Sequence, residues 1–292
     1  MILRPVRDSA SDAAVVREIH SAAEAALERQ SGEPPAPWTT ERIAGHEAVT
    51  RHLARTDPGG CWLAEEDGRT VGAALALKRE GLWGLSLFCV LPSAQGNGIG
   101  RLLLDHALAY GHGCLRGMAV PSADAGAARR YHAAGFKLHP LMSLTGKVDR
   151  AALPDPGGTP VHLGDASHRP LLDSVDRAVR GAAHGPDHET LLRTTEELLV
   201  VDTLSGSGYC YRDGGRVVLL AATSKRLAAV LLTAALSRVP PTDEAEIAHA
   251  TAEQDWAVDV ALAGGLTLRT RGFLALRGMR PPAPWLPSDA FL

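Results

Sequence analysis

The chain has 292 residues, 45% of them hydrophobic and 22% charged, with a formal net charge of −3. That length holds two domains of ordinary size, each able to bury a core, and the near-neutral balance argues against nucleic-acid binding, which shows as a basic face. No apolar run approaches the ~20 residues of a membrane span, and the charged start at residues 1–8 is no signal peptide, so a cytoplasmic protein is expected. Cys61, Cys89, Cys114 and Cys210 are scattered with no Cys-x-x-Cys pair, which indicates neither a disulfide framework nor a zinc site.

In chain order, residues 2–7 read as a first strand. Ser11-Asp12 can cap a helix over 13–30, with Val15, Ile19, Ala22 and Ala26 on one face. A Pro-rich loop containing Trp38 precedes a second helix over 40–54. Strands at 61–64 and 71–77 flank the turn Glu65-Glu66-Asp67-Gly68. A strand at 85–90 then leads through Pro92 into Gly96, Gly98 and Gly100, which open onto a helix reaching Tyr110. Further elements are a strand at 115–120, a helix at 124–134 and one or two strands over 136–145.

The three alternating glycines are the most informative stretch. Glycines let a backbone approach a ligand closely, and a helix start adds unpaired N–H donors and partial positive charge, so the device suits phosphate. It is not a Walker A loop, because Gly100 is followed by Arg101 and Leu102 instead of Lys and Ser/Thr. Nor is it a dinucleotide fingerprint, since Arg101 stands where the last glycine belongs.

Val90, Pro92, Gln95, Gly98 and Gly100 match the pattern Val-x-Pro followed by Gln/Arg-x-x-Gly-x-Gly/Ala. That pattern resembles the pyrophosphate loop of the GNAT superfamily of acetyl-CoA-dependent N-acetyltransferases. A second similarity is Asp124-x-x-Ala127-x-x-x-Tyr131-x-x-x-Gly135-Phe136, where the family commonly begins with Asn. The order of elements over residues 1–147 is also that of the GNAT fold.

After the linker Pro154-Asp155-Pro156-Gly157-Gly158-Thr159-Pro160, the second half repeats this order. Its strands are expected at 161–163, around 208–211, at 217–222, near 245–249 and at 268–276. Its helices are expected at 167–179, after Asp187, at 226–236 and at 254–263. It resembles the degenerate C-terminal half of tandem GNAT proteins: Ala261 stands where Tyr131 does in the first half, and the turn Thr223-Ser224-Lys225 has no glycine. The expected fold is therefore α/β (α+β), two GNAT-like domains with mixed, mainly antiparallel sheets. Their boundaries are 1–148 for the catalytic domain, 149–159 for the linker and 160–292 for the degenerate domain.

The resemblance implies acetyl-CoA as co-substrate and, as acceptor, a primary amine of a small molecule or peptide. It implies that the N–H groups of Gln95, Gly96, Asn97, Gly98, Ile99, Gly100 and Arg101 cradle the pyrophosphate. The strand end Phe88-Cys89-Val90 would splay from the next strand to hold the pantetheine arm, and an N–H near Val90 would polarise the thioester carbonyl. Tyr131 is the implied general acid, and Asp124 takes the family's Asn position. Where the family often has Glu on this strand, the chain has Gly84 and Ser86, with Glu80 just before it.

His184-Gly185-Pro186-Asp187-His188 gathers ligand-type residues, but Asp187 before His188-Glu189 reads as a helix cap, and no metal is expected. Two readings stand side by side: an N-acetyltransferase, favoured by Tyr131, and a non-catalytic module sensing acyl-CoA, favoured by the missing Glu.

Overall fold

The structure, a computed structural model, describes residues 1–32, 34, 37–120 and 125–292. It divides into two compact units, residues 1–119 with Leu292 and residues 120–291.

In the first unit the chain runs β1 (Ile2–Pro5), α1 (Ala10–Ser31), α2 (Thr40–Thr56), β2 (Cys61–Glu66), β3 (Arg69–Arg79), β4 (Leu82–Val90), α3 (Ile99–Tyr110) and β5 (Arg116–Ala119). β1 to β4 pair antiparallel in sequence order, and β5 joins β4 in parallel. Every residue of β3 from Val71 to Leu77 is buried, as a strand covered on both faces requires. α1 and α2 pack on β3, and α3 packs on β2, β3 and β4. Trp83, fully buried, fixes α3 by donating from Nε1 to the Ala107 carbonyl at 2.8 Å. The cap of α1 is Ser9, whose hydroxyl accepts the Asp12 N–H at 3.2 Å. The helix thus starts earlier than the Ser11-Asp12 signal suggests.

One buried charge ties this unit together. Asp57, 1% exposed, accepts from Arg79 Nη1 at 3.1 and 2.9 Å, from the Lys78 N–H at 2.9 Å, from the Tyr110 hydroxyl at 3.0 Å and from Thr56 Oγ1 at 2.7 Å. Residues from the end of α2, the end of β3 and the end of α3 therefore meet at a single carboxylate.

The second unit contains α4 (Ala125–Ala133), β6 (Lys137–Gly146), β7 (His162–Leu163), α5 (Arg169–Val179), α6 (Asp187–Thr194), β8 (Glu197–Thr203), β9 (Gly206–Asp213), β10 (Arg216–Ala222), α7 (Lys225–Ser237), β11 (Ala245–Ala250), α8 (Asp255–Ala263), β12 (Thr267–Arg277) and β13 (Trp285–Leu286). β7 to β10 pair antiparallel and β11 joins β10 in parallel, which repeats the pairing of β1 to β5. β8 and β13 are additional to the strands expected from sequence.

β6 lies between β11 and β12, antiparallel to both. This strand precedes the Pro/Gly-rich linker in sequence yet bonds to strands on the far side of it. The compact units consequently divide at residue 119, ahead of that linker. The core of the second unit, including Leu199, Leu220, Leu231, Leu236, Ile247 and Trp256, reaches Leu144 of β6.

Arg79→Met would leave the Asp57 carboxylate buried without its cation. The unfolding free energy should fall by ~3–5 kcal/mol in urea denaturation, whereas Tyr110→Phe, which removes one donor of several, should cost only ~1 kcal/mol.

Candidate functional site

β4 carries an extra residue against β3: Leu75 faces Leu87 and Ala76 faces Leu85, which leaves Ser86 bulged. A bulge bends its strand and re-aims the residues beyond it. β5 pairs with β4 only as far as Leu85↔Ala119, so residues 86–90 keep β3 on one side and no described strand on the other. The Leu91 N–H donates to the Val71 carbonyl at 2.8 Å. Antiparallel pairs alternate, so the next pair, Gly72↔Val90, is a non-hydrogen-bonded one. Val90 therefore turns its N–H and C=O away from β3, toward the open side.

Gln95 reaches back to this edge and donates from Nε2 to the Val90 carbonyl at 3.1 Å. Its own N–H donates to Pro92 O at 3.4 Å, closing a single 3-10 turn over Pro92–Ala94. Gln95 thus enters through its side chain, and the free backbone run starts one residue later than expected. Gly96 (φ +87°) and Gly98 (φ +82°) adopt left-handed conformations that side chains disfavour. A Cβ on either would meet nothing within 4 Å, so both glycines face open space.

α3 begins at Gly98 with no side-chain cap, and its first bond runs from the Leu102 N–H to Gly98 O at 3.1 Å. Among the described residues, no acceptor meets the N–H groups of Gly96, Asn97, Gly98, Ile99, Gly100 and Arg101. Six consecutive donors at a helix start are an anion site in form. Ile99 and Gly100 are buried and anchor the turn, whereas the Arg101 side chain is 84% exposed, 3.7 Å from Asp105.

Phe88 is half-buried and Cys89 buried. Burial pushes the Cys89 thiol up to about 12, so it offers no thiolate for covalent catalysis at neutral pH. At Gly84 an added Cβ would meet Leu292 Cδ1 at 3.0 Å and Leu77 Cδ1 at 3.1 Å. A side chain at that position would require both leucines to shift by a few tenths of an ångström. Glu80 sits in the exposed Glu80-Gly81 turn with φ +46°.

Tyr131 lies on α4 in the second compact unit, 3% exposed and edge-on to Phe136 at 5.9 Å between ring centroids. Burial pushes its phenol above the usual value, so it keeps its proton at neutral pH. Asp124 lies outside the described residues.

The corresponding region of the second half is built differently. Ser224 caps α7, its hydroxyl accepting the Leu227 N–H at 3.3 Å. β10 and β11 pair only at Arg216↔Glu246 and Val217↔Ile247 before parting. Into the opening comes β13, pairing Leu286 with Leu220 and Trp285 with Ala221. Since β9 holds the other edge of β10 as far as Ala222, β13 occupies the side that β11 has left. The absence of glycine at residues 223–225 signalled the first difference. Nothing in the short Trp285–Leu286 segment signalled the second.

An open, phosphate-suited turn beside a splayed strand pair is the arrangement of acyl-CoA-dependent acyltransferase folds. A family model described as the acetyltransferase (GNAT) family matches residues 23–136, and the chain as a whole shares its fold with a two-domain protein of that kind. A protein of Pyrococcus horikoshii provisionally named an acetyltransferase is 17% identical, with a TM-score of 0.76 over 100% of this chain and 95% of that one. A tandem GNAT protein from the clavulanic acid biosynthesis pathway is 17% identical, with a TM-score of 0.62 over 96% of this chain and 99% of that one. A GCN5-related N-acetyltransferase from Sphaerobacter thermophilus gives 16% identity and a TM-score of 0.60 over 96% of both chains. At these identities the likeness is one of fold. No curated protein matches the sequence significantly. Among the described residues no helix is long and apolar enough to cross a membrane.

Gly98→Asp forces a side chain into a left-handed position and sets a carboxylate against the anion site. Acetyl-CoA affinity should drop roughly 100-fold or more in isothermal titration, while Thr223→Asp in the second half should leave it unchanged.

Proposed function

We propose that the first half binds acetyl-CoA through the amides from Gly96 to Arg101. The acetyl group then passes to the primary amine of a small molecule or peptide, by direct attack of that amine on the thioester. The observation that carries this reading is the uncommitted run of six N–H donors at the start of α3, adjoining the open edge of β4. When bound, acetyl-CoA supplies an activated acyl group and a thiolate leaving group.

The chain's part is to bind, polarise and move protons. The amides hold the diphosphate without any side-chain charge, and the helix start reinforces them. The Val90 N–H, turned to the open side, is placed to polarise an acyl carbonyl. Tyr131 is assigned as the general acid that protonates the departing sulfur, a role for which a phenol held protonated by burial is suited. The buried Cys89 thiol takes no acyl group. The amine loses its proton to water or to the acceptor pocket, at ~4–5 kcal/mol for a lysine-like pKa of ~10.4 at neutral pH.

We place the functional division at 1–148, the linker at 149–159 and the degenerate repeat at 160–292. The capped α7 and the strand β13 support a second half without acetyl-CoA.

The packed Gly84 favours a second reading, a module that senses acyl-CoA without turning it over, because it removes the strand position on which the family often carries a base. Titration with acetyl-CoA followed by thiol release over a panel of amines decides between them. One equivalent bound per chain with release of CoA is the outcome expected of the enzyme. Binding without release from any amine is that of the module, and no binding removes both.

Tyr131→Phe should lower kcat ~10²–10⁴-fold with acetyl-CoA affinity little changed. Because its phenol is pushed up, the wild type should lose no activity through Tyr131 ionisation until above the ordinary phenol value of ~10.

A further inference from the structure

The second unit holds a cluster of ligand-type side chains that acetyl transfer does not use. Asp173 and Asp176 lie on α5, His184 in the turn beyond it, and His188 on α6. Asp176, His184 and His188 are at most 1% exposed, and the Asp173 side chain is 15% exposed.

Three N–H groups converge on the single atom Asp176 Oδ2: the His184 backbone at 2.9 Å, His184 Nδ1 at 2.7 Å and His188 Nε2 at 3.1 Å. A carboxylate oxygen has two lone-pair sites, so three donors overfill it. Asp173 Oδ1 stands 3.6 Å from the same His188 nitrogen and also takes the Gly185 N–H at 3.0 Å.

We propose that Asp176, His184 and His188 form a buried three-ligand site for a divalent transition ion of the zinc type, which holds the α5–α6 connection in place, with Asp173 at its rim beside His188. The donor atoms Asp176 Oδ2, His184 Nδ1 and His188 Nε2, one carboxylate and two imidazoles, all lie within 4.8 Å of one another. The separations of 2.7 and 3.1 Å from Asp176 Oδ2 to the two imidazole nitrogens are within a few tenths of an ångström of the edge of about 3.3 Å of a tetrahedron with bonds of ~2.0–2.1 Å. Two imidazole nitrogens turned to a metal would relieve the overfilled oxygen.

Outer partners orient the ligands as metal sites require. The Tyr209 hydroxyl donates to Asp176 Oδ1, and the Tyr211 hydroxyl lies 3.2 Å from His188 Nδ1. Arg169 Nε approaches the other Asp173 oxygen, Oδ2, at 3.6 Å; Arg180, whose charge also acts on Asp176 and His184, is held by the carbonyls of Ala182, Ala183 and Phe291. The spacing Asp-x7-His-x3-His is visible in the sequence, and Asp187 is the first residue of α6, whose N-cap position is Pro186.

The test uses the full chain after chelation. Cobalt(II) should bind at one equivalent with the intense visible bands of tetrahedral coordination, and zinc should compete them away. Zinc should raise the melting temperature by about 5 °C or more, and unfolding on chelation that zinc reverses would count equally in favour. His188→Gln should abolish the bands, and Tyr211→Phe should weaken binding ~10-fold while retaining them. If His188→Gln fails to fold, Asp173→Asn at the exposed edge should bind at least ~10-fold more weakly. A folded, chelated wild type that takes up neither ion and melts at the same temperature with and without zinc would overturn the proposal. Unchanged affinity in Asp173→Asn would do the same.

Discussion

A strand cannot bond to its neighbour and offer the same backbone edge to a ligand, and β4 meets this constraint by pairing with β5 only from Leu82 to Leu85. Parallel pairing carried on to Val90 would consume the groups that now face the open side. The bulge at Ser86 bends the strand at the residue after pairing stops. Gln95 then occupies the Val90 carbonyl and leaves the N–H of the same residue available. Register thus selects which backbone groups are exposed before any side chain contributes.

The start of α3 obeys the same logic. A serine, threonine or aspartate cap satisfies one helix-start donor itself, as Ser9 does for α1 and Ser224 for α7. Gly98 satisfies none. The two halves of the chain share a strand order but differ at this single choice, and differ again where β13 fills the gap between β10 and β11. One copy of the fold retains an uncapped helix start beside an open strand edge, and the other has closed both of its openings with its own chain.

Most of this was legible in the residues. The apolar runs of β3, β4 and β10 and the periodic faces of α3 and α7 fix element type, and glycine spacing marks the loop. Local competition was harder to read. Ser9 outcompetes Ser11 as a cap because its hydroxyl reaches the Asp12 N–H. β8 was lost because its run Leu198–Val201 comes closely after the leucines of α6. β13 is too short to carry a period, and Gln95 fits a motif without revealing that its side chain, not its amide, is engaged. The linker composition marks where the repeats meet in sequence. It carries no information on the partners of β6.

Those partners set an order of events. β6 leaves the ribosome about a hundred residues before β11 and β12, the two strands that cover its edges. Until they arrive it has no strand partner, and both of its edges present unpaired N–H and C=O groups, the kind of template that recruits other chains. Exposed positions at Lys137 and Pro140 blunt the first part of that edge, since a proline cannot donate and a charge resists stacking. The nascent protein is therefore most vulnerable to self-association in the interval when translation is traversing the linker and the strands β7 to β10.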